Sequence, residues 1–95
     1  PLRTQLDRKA LIKGLKDGTI DFVTTDHRPM DIEHKRVEFD NASDGTIGLE
    51  SAFGMLNQIF DLDTTISLLT KGRERYGIET PVLKVGENAA LTTIK

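Results

Sequence analysis

The chain contains no cysteine and no tryptophan, and aromatic residues make up only 5% of it. The first absence excludes disulfides and thiolate metal sites. The scarcity of aromatics leaves few large anchors for a core. No apolar run approaches the roughly 20 residues that span a bilayer, and no signal-peptide pattern is visible. A cytoplasmic setting is therefore expected. Neither sign of charge dominates, with 13 basic and 15 acidic residues and a formal net charge of -2. That balance gives no electrostatic footprint for nucleic acid or for an acidic membrane surface. Hydrophobic residues are 37% of the 95, which is low for a self-sufficient compact fold. A domain of this length buries only about two thirds of its unfolded surface. The first residue is Pro1 rather than methionine, as expected of a processed chain or a fragment.

Local signals place the elements. Residues 1–3 read as an extended approach to a helix. Thr4 has the character of an N-cap, with Asp7 three residues on completing a capping-box pattern. Leu6, Ala10, Leu11 and Leu15 then share one helical face, and Gly18 is the stop. Residues 21–25, with Phe22 and Val23 at their centre, read as a short strand suited to a parallel sheet. Residues 26–45 are mostly polar, and a loop of that length inside a compact domain is often functional. Residues 31–38 have the composition for one or two helical turns. Leu49, Phe53, Leu56 and Phe60 define one face of a helix over 48–60. Asp63 is expected to cap a further helix with Ile66 and Leu69 inward. Residues 73–76 suggest a short turn ended by Gly77. After Pro81, a turn at Gly86-Glu87-Asn88 and a strand at 91–94 are expected. Two strands separated by helices do not close a sheet, so the inventory reads as the tail of a larger α/β protein.

The chemistry concentrates at Thr24-Thr25-Asp26-His27-Arg28-Pro29-Met30. Asp26 stands where the predicted strand opens into the loop, the position at which parallel α/β folds collect catalytic groups. A carboxylate there can ligate a metal and take a proton from its bound water. It is equally a common turn former. His27 and His34 are the only histidines, too few to complete a zinc site, which usually takes three or more protein ligands. His34, in a charged stretch, is expected to be solvated.

The order of these residues carries a resemblance. Pro1-Leu2-Arg3 comes first, and Asp21-Phe22-Val23-Thr24-Thr25-Asp26-His27-Arg28-Pro29-Met30 follows, with Lys35 five residues later. Gly45-Thr46-Ile47-Gly48-Leu49-Glu50-Ser51-Ala52-Phe53 comes next, then a Gly-x-x-Ala-x-Leu pattern at Gly86, Ala89 and Leu91. The chain resembles the C-terminal portion of the dihydroorotases of the amidohydrolase superfamily over nearly its whole length. The resemblance implies a zinc-dependent cyclic amidohydrolase built on a (β/α)₈ barrel with a small flanking β-domain. Residues 1–80 would be the last β/α portion of the barrel, and residues 81–95 the return into the β-domain. Asp26 would be the zinc-binding aspartate and general acid/base. His27, Arg28, Gly45 and Gly48 would lie at the substrate. Turn and helix-start geometry explain the two glycines equally well, and Glu50 fits the first turn of a helix.

The partners implied are a small-molecule substrate and a homo-oligomer, or a complex with aspartate carbamoyltransferase. Two positions depart from the usual Asp-His-Ala-Pro-His pattern: Arg28 replaces the alanine, and Met30 replaces the second histidine, which normally helps hold the substrate carboxylate. Arg28 has a forked donor set that matches a carboxylate. Ala90 stands where an aspartate is common. These departures keep two alternatives open: an allantoinase- or dihydropyrimidinase-like enzyme, and a non-catalytic dihydroorotase-like partner protein. In either enzymatic case most metal ligands lie outside this chain, and the isolated segment is expected to be inactive and to expose apolar surface.

Overall fold

A computed structural model describes residues 3–93. Five helices run in order: α1 (Gln5–Lys16), α2 (Ile32–Lys35), α3 (Leu49–Asn57), α4 (Leu62–Thr70) and α5 (Gly72–Arg75). A single 3₁₀ turn covers Phe39–Asn41. Pro1 and Leu2, part of the expected extended approach, and Ile94, part of the expected last strand, lie outside the described residues.

The helix starts follow from short-range chemistry. The Thr4 hydroxyl oxygen accepts the Asp7 backbone N–H at 3.2 Å, and Asp7 accepts the Thr4 N–H at 2.9 Å and its hydroxyl at 2.7 Å. Two backbone donors that a helix start leaves unpaired are satisfied reciprocally. At the other end of α1, Asp17 accepts the Thr19 N–H and hydroxyl, and Gly18 takes a left-handed φ of 78°. The α4 cap differs from expectation. Asp61, two residues before Asp63, accepts the Thr64 N–H at 2.9 Å and the Thr64 hydroxyl at 2.8 Å. A threonine three residues on gives Asp61 two donors, so α4 begins at Leu62.

The inward stripe of α4 is consequently Thr65 and Leu68, which with Phe60 are the buried residues of the described chain. Ile66, expected inward, is exposed, while Leu69 is partly covered. Helix α3 packs on α4. Residues 21–23 lie against α4 and α5: the Val23 N–H donates to the Leu68 carbonyl at 2.9 Å, pairing one of the C-terminal carbonyls the helix leaves open. Phe22 meets Tyr76 edge-on, with ring centroids 6.0 Å apart. A Cβ on Gly72 would stand 2.9 Å from the Phe22 ring, so a glycine is needed for this approach. Asp21 and Arg75 form an exposed ion pair at 2.8 Å.

Residues 21–25 do not form a paired strand. Among the described residues no strand is present, and the sole bridge is an isolated parallel one between His27 and Thr46. A strand needs a neighbouring strand to pair its backbone with, and no other described segment runs alongside residues 21–25 as one. Residues 91–93 likewise form no strand, and residues 74–93 are exposed throughout. The α1 face of Leu6 and Leu11 is bare, because no described element packs on it. The accessible surface is 8602 Å², against roughly 5,500 Å² expected of a compact protein of this mass. The radius of gyration, 16.6 Å, exceeds the roughly 12 Å of a compact chain this long.

Candidate active-site segment

Asp26 has φ 44°, the one non-glycine residue in the left-handed region among those described. Aspartate tolerates this conformation better than most residues, but it still carries strain, and such strain persists only where the surroundings impose it. Here both neighbours are held. The His27 N–H donates to the Thr25 hydroxyl oxygen at 3.3 Å. The Arg28 N–H donates to the Thr46 carbonyl at 3.0 Å, extending the His27–Thr46 bridge.

His27 reaches furthest. Its Nδ1 accepts the backbone N–H groups of Gly48 at 3.1 Å and Leu49 at 3.2 Å. The imidazole thus caps α3, whose N-cap residue, Gly48, has no side chain to do so. An accepting Nδ1 has no proton, so the ring is the neutral tautomer with its N–H at Nε2. The sequence gives no sign of this cap, because donor and acceptor are 21 and 22 residues apart.

The loop after Asp26 folds back on the same backbone. Lys35 Nζ donates to the carbonyls of Ser43 and Gly45, each at 2.6 Å. Gly45 has φ 110°, and a Cβ there would stand 2.7 Å from the Arg28 carbonyl oxygen and 2.9 Å from Arg28 Cβ. A Cβ on Gly48 would stand 2.8 Å from the Thr25 carbonyl oxygen. Both glycines therefore permit close backbone approach to residues 25–28. Arg28, Asp26 and His34 are exposed, and Met30 is half-buried. Glu50 lies in the first turn of α3, as its sequence position suggested.

Two open apolar grooves flank residues 23–25. One, about 440 Å³, is lined by Val23, Ile47, Ala52, Met55, Leu56 and Ile59 among others. The other, about 390 Å³, includes Leu49, Ala52, Phe53 and Leu69. Among the described residues no group of three or more His, Asp or Glu side chains is placed to hold a metal ion. No described helix is long and apolar enough to cross a membrane.

The chain is 45% identical to a dihydroorotase of Caldicellulosiruptor saccharolyticus over 99% of its own length. It is 43% identical to a dihydroorotase of Bacillus subtilis and 42% identical to one of Geobacillus thermodenitrificans, again over 99% of its length. Over nearly its whole length the chain matches one portion of these dihydroorotases. It spans 24% of the length of each of these dihydroorotases. No family model matches it. The match agrees with the order of motifs from Asp26 to Gly48.

Proposed function

We propose that this chain is the segment of a dihydroorotase that brings Asp26 into the active site, and that the full-length protein interconverts N-carbamoyl-L-aspartate and dihydroorotate. The observation that carries the reading is the 45% identity to a dihydroorotase over 99% of the chain. Residues 1–80 form the last β/α portion of a (β/α)₈ barrel, and residues 81–95 return towards a flanking β-domain. Residues 21–25 are the barrel strand. The two grooves beside residues 23–25 are where neighbouring barrel strands lie, which accounts for an apolar run with no ladder partner of its own.

In hydrolysis, water adds to the ring amide carbonyl, the C–N bond breaks and the leaving nitrogen takes a proton; ring closure is the reverse. Asp26 accepts the proton of the attacking water and returns it to that nitrogen, as a positioned general acid/base does. Zinc, when bound, makes water nucleophilic at neutral pH. The described residues do not form a metal site by themselves, and Asp26 is the one carboxylate this segment contributes to it. Arg28, next to Asp26 and exposed, binds the substrate carboxylate through its forked donors, in the role that Met30 cannot fill. Gly45 and Gly48 let the loop backbone approach the same space.

The test is Asp26→Asn in the full-length protein. The amide keeps the shape but takes no proton at neutral pH, so turnover of dihydroorotate falls by about 10²–10⁴-fold with the thermal transition unchanged. Unchanged turnover removes Asp26 from the chemistry. A wild-type protein that turns over allantoin or dihydropyrimidines and leaves dihydroorotate untouched replaces the substrate assignment.

A further inference from the structure

The function proposed for Asp26 leaves open what keeps it in a strained backbone conformation at the end of an otherwise irregular segment. The neighbouring histidine is the group through which that conformation connects to a helix. We infer that His27 is a positioning residue: by capping α3 through Nδ1 it holds Asp26 in its left-handed conformation, and it does not bind substrate through that nitrogen. The inference rests on the reading of Asp26 as the acid/base.

Three observations converge on it. First, Nδ1 is fully engaged by the Gly48 and Leu49 N–H groups at 3.1 and 3.2 Å. These are donors that the first turn of a helix leaves unpaired, and the N-cap residue itself is a glycine with nothing to offer them. Second, the His27 backbone is pinned independently, by the Thr25 hydroxyl on one side and the bridge to Thr46 on the other. With ring and backbone both fixed, φ and ψ of the residue before it have little freedom left. Third, a Cβ on Gly48 would stand 2.8 Å from the Thr25 carbonyl oxygen, so the helix start that His27 grips also lies close against the residue on the far side of Asp26. The three residues Thr25, Asp26 and His27 are thus clamped onto the N-terminus of α3. Releasing the ring frees Asp26 to relax to an ordinary φ, which re-aims its carboxylate.

The geometry specifies a discriminating pair of substitutions. Asn places its side-chain oxygen about where His places Nδ1, so His27→Asn retains an acceptor for the α3 donors. Gln places its terminal amide near Nε2 and loses the cap. In the full-length protein, His27→Ala and His27→Gln are expected to lower kcat by up to about 10²-fold, the scale of a small misplacement of a reacting group, with KM changed by less than about threefold. His27→Asn is expected to recover most of kcat. Amide hydrogen exchange at Gly48 and Leu49 should accelerate in the Ala and Gln variants and stay slow in Asn. Imidazole ¹⁵N shifts of the wild type should report an unprotonated Nδ1 and a protonated Nε2.

Recovery by Gln and not by Asn, or a change confined to KM, overturns the inference by assigning His27 to the substrate through Nε2. A proton on Nδ1, or exchange at Gly48 and Leu49 that is indifferent to all three substitutions, overturns it as well. Failure of the acid/base reading appears separately, as an Asp26→Asn protein with full turnover; the exchange and ¹⁵N measurements judge the cap whatever that protein does.

Discussion

The Lys35 ammonium and the Gly45 carbonyl oxygen are 2.6 Å apart, and the same ammonium holds the Ser43 carbonyl at an equal distance. One side chain thereby closes the polar loop onto the stretch that carries Asp26 and Arg28. Hydrogen bonds with one ionised partner are roughly twice as strong as neutral ones, and a lysine has three donors to share between two carbonyls. Lys35→Met keeps the aliphatic stem and removes the charge. Its expected effect is faster amide exchange and easier proteolysis across residues 36–45, with α1 and α4 unchanged. Equal protection in the variant would show that the 3₁₀ turn and the Gly45 contact hold the loop without the lysine.

The glycines separate into those that are required and one that is not. Gly45→Ala forces a Cβ to 2.7 Å from the Arg28 carbonyl at φ 110°. Gly48→Ala forces one to 2.8 Å from the Thr25 carbonyl. In both cases the obstacle is backbone, which cannot swing aside. Each substitution is expected to destabilise the full-length protein by about 1–3 kcal/mol, the cost of a strained backbone site. Gly54, inside α3, would meet nothing within 4 Å, and Gly54→Ala is expected to stabilise by about 0.5–1 kcal/mol from helix propensity. Chemical denaturation of the three variants checks the contrast; equal effects at Gly45 and Gly54 would contradict the packing of the loop against Arg28.

What the sequence discloses here depends on the distance over which each feature acts. The Thr4–Asp7 box is legible because both partners lie within one helical turn and each satisfies the other. The stop at Gly18 and the short turn before Gly77 are legible for the same local reason. The α4 start is only half legible: Asp61 and Asp63 are both good caps, and the choice falls to Asp61 through the Thr64 hydroxyl. The His27 cap is invisible to any local reading, since 21 residues separate it from Gly48. The Lys35 clasp spans eight and ten residues with no pattern that names a carbonyl as its target. The strand at residues 21–25 shows a different limit. Its apolar composition is a statement about burial between neighbours, and the described chain holds no strand to be that neighbour.

Acid should loosen the helix starts. Hydrogen bonds from Thr4 lower the Asp7 carboxyl below its usual 3.8, side-chain bond first. Backbone and side-chain bonds from Thr64 do the same for Asp61, and those from Thr19 for Asp17. A carboxyl with a folded value below its unfolded one stabilises the fold above the unfolded value. That contribution is lost as pH falls through the folded value. The helix starts and the α1 end are therefore expected to hold at pH 5 to 7, roughly, and to fray below about pH 4. Circular dichroism of wild type against Asp61→Asn checks this. Asparagine retains a cap acceptor without a titrating proton, so its profile should be flatter in that window. A steeper acid loss in Asp61→Asn would reverse the sign of the argument.

Arg28 is the position at which the substrate reading is most exposed to test. It stands two residues before Met30, whose thioether cannot donate to a carboxylate, and its own guanidinium is exposed while its Cβ sits beside Gly45. The loop that Lys35 closes therefore fixes the root of the Arg28 side chain and leaves the charged end free to meet a ligand. A charge-assisted contact to a carboxylate that does not react contributes equally to ground state and transition state. Arg28→Ala in the full-length protein is accordingly expected to raise KM for dihydroorotate by about 10-fold or more, the scale of a lost charged hydrogen bond, and to leave kcat within about twofold. Arg28→Lys should recover only part of the loss, because a point charge does not reproduce two parallel donors. Esterifying the substrate carboxylate should erase the difference between wild type and Arg28→Ala, since the partner group is then missing on the ligand's side. If Arg28→Ala keeps the wild-type KM with the free acid, the guanidinium points away from the substrate and another part of the protein holds its carboxylate.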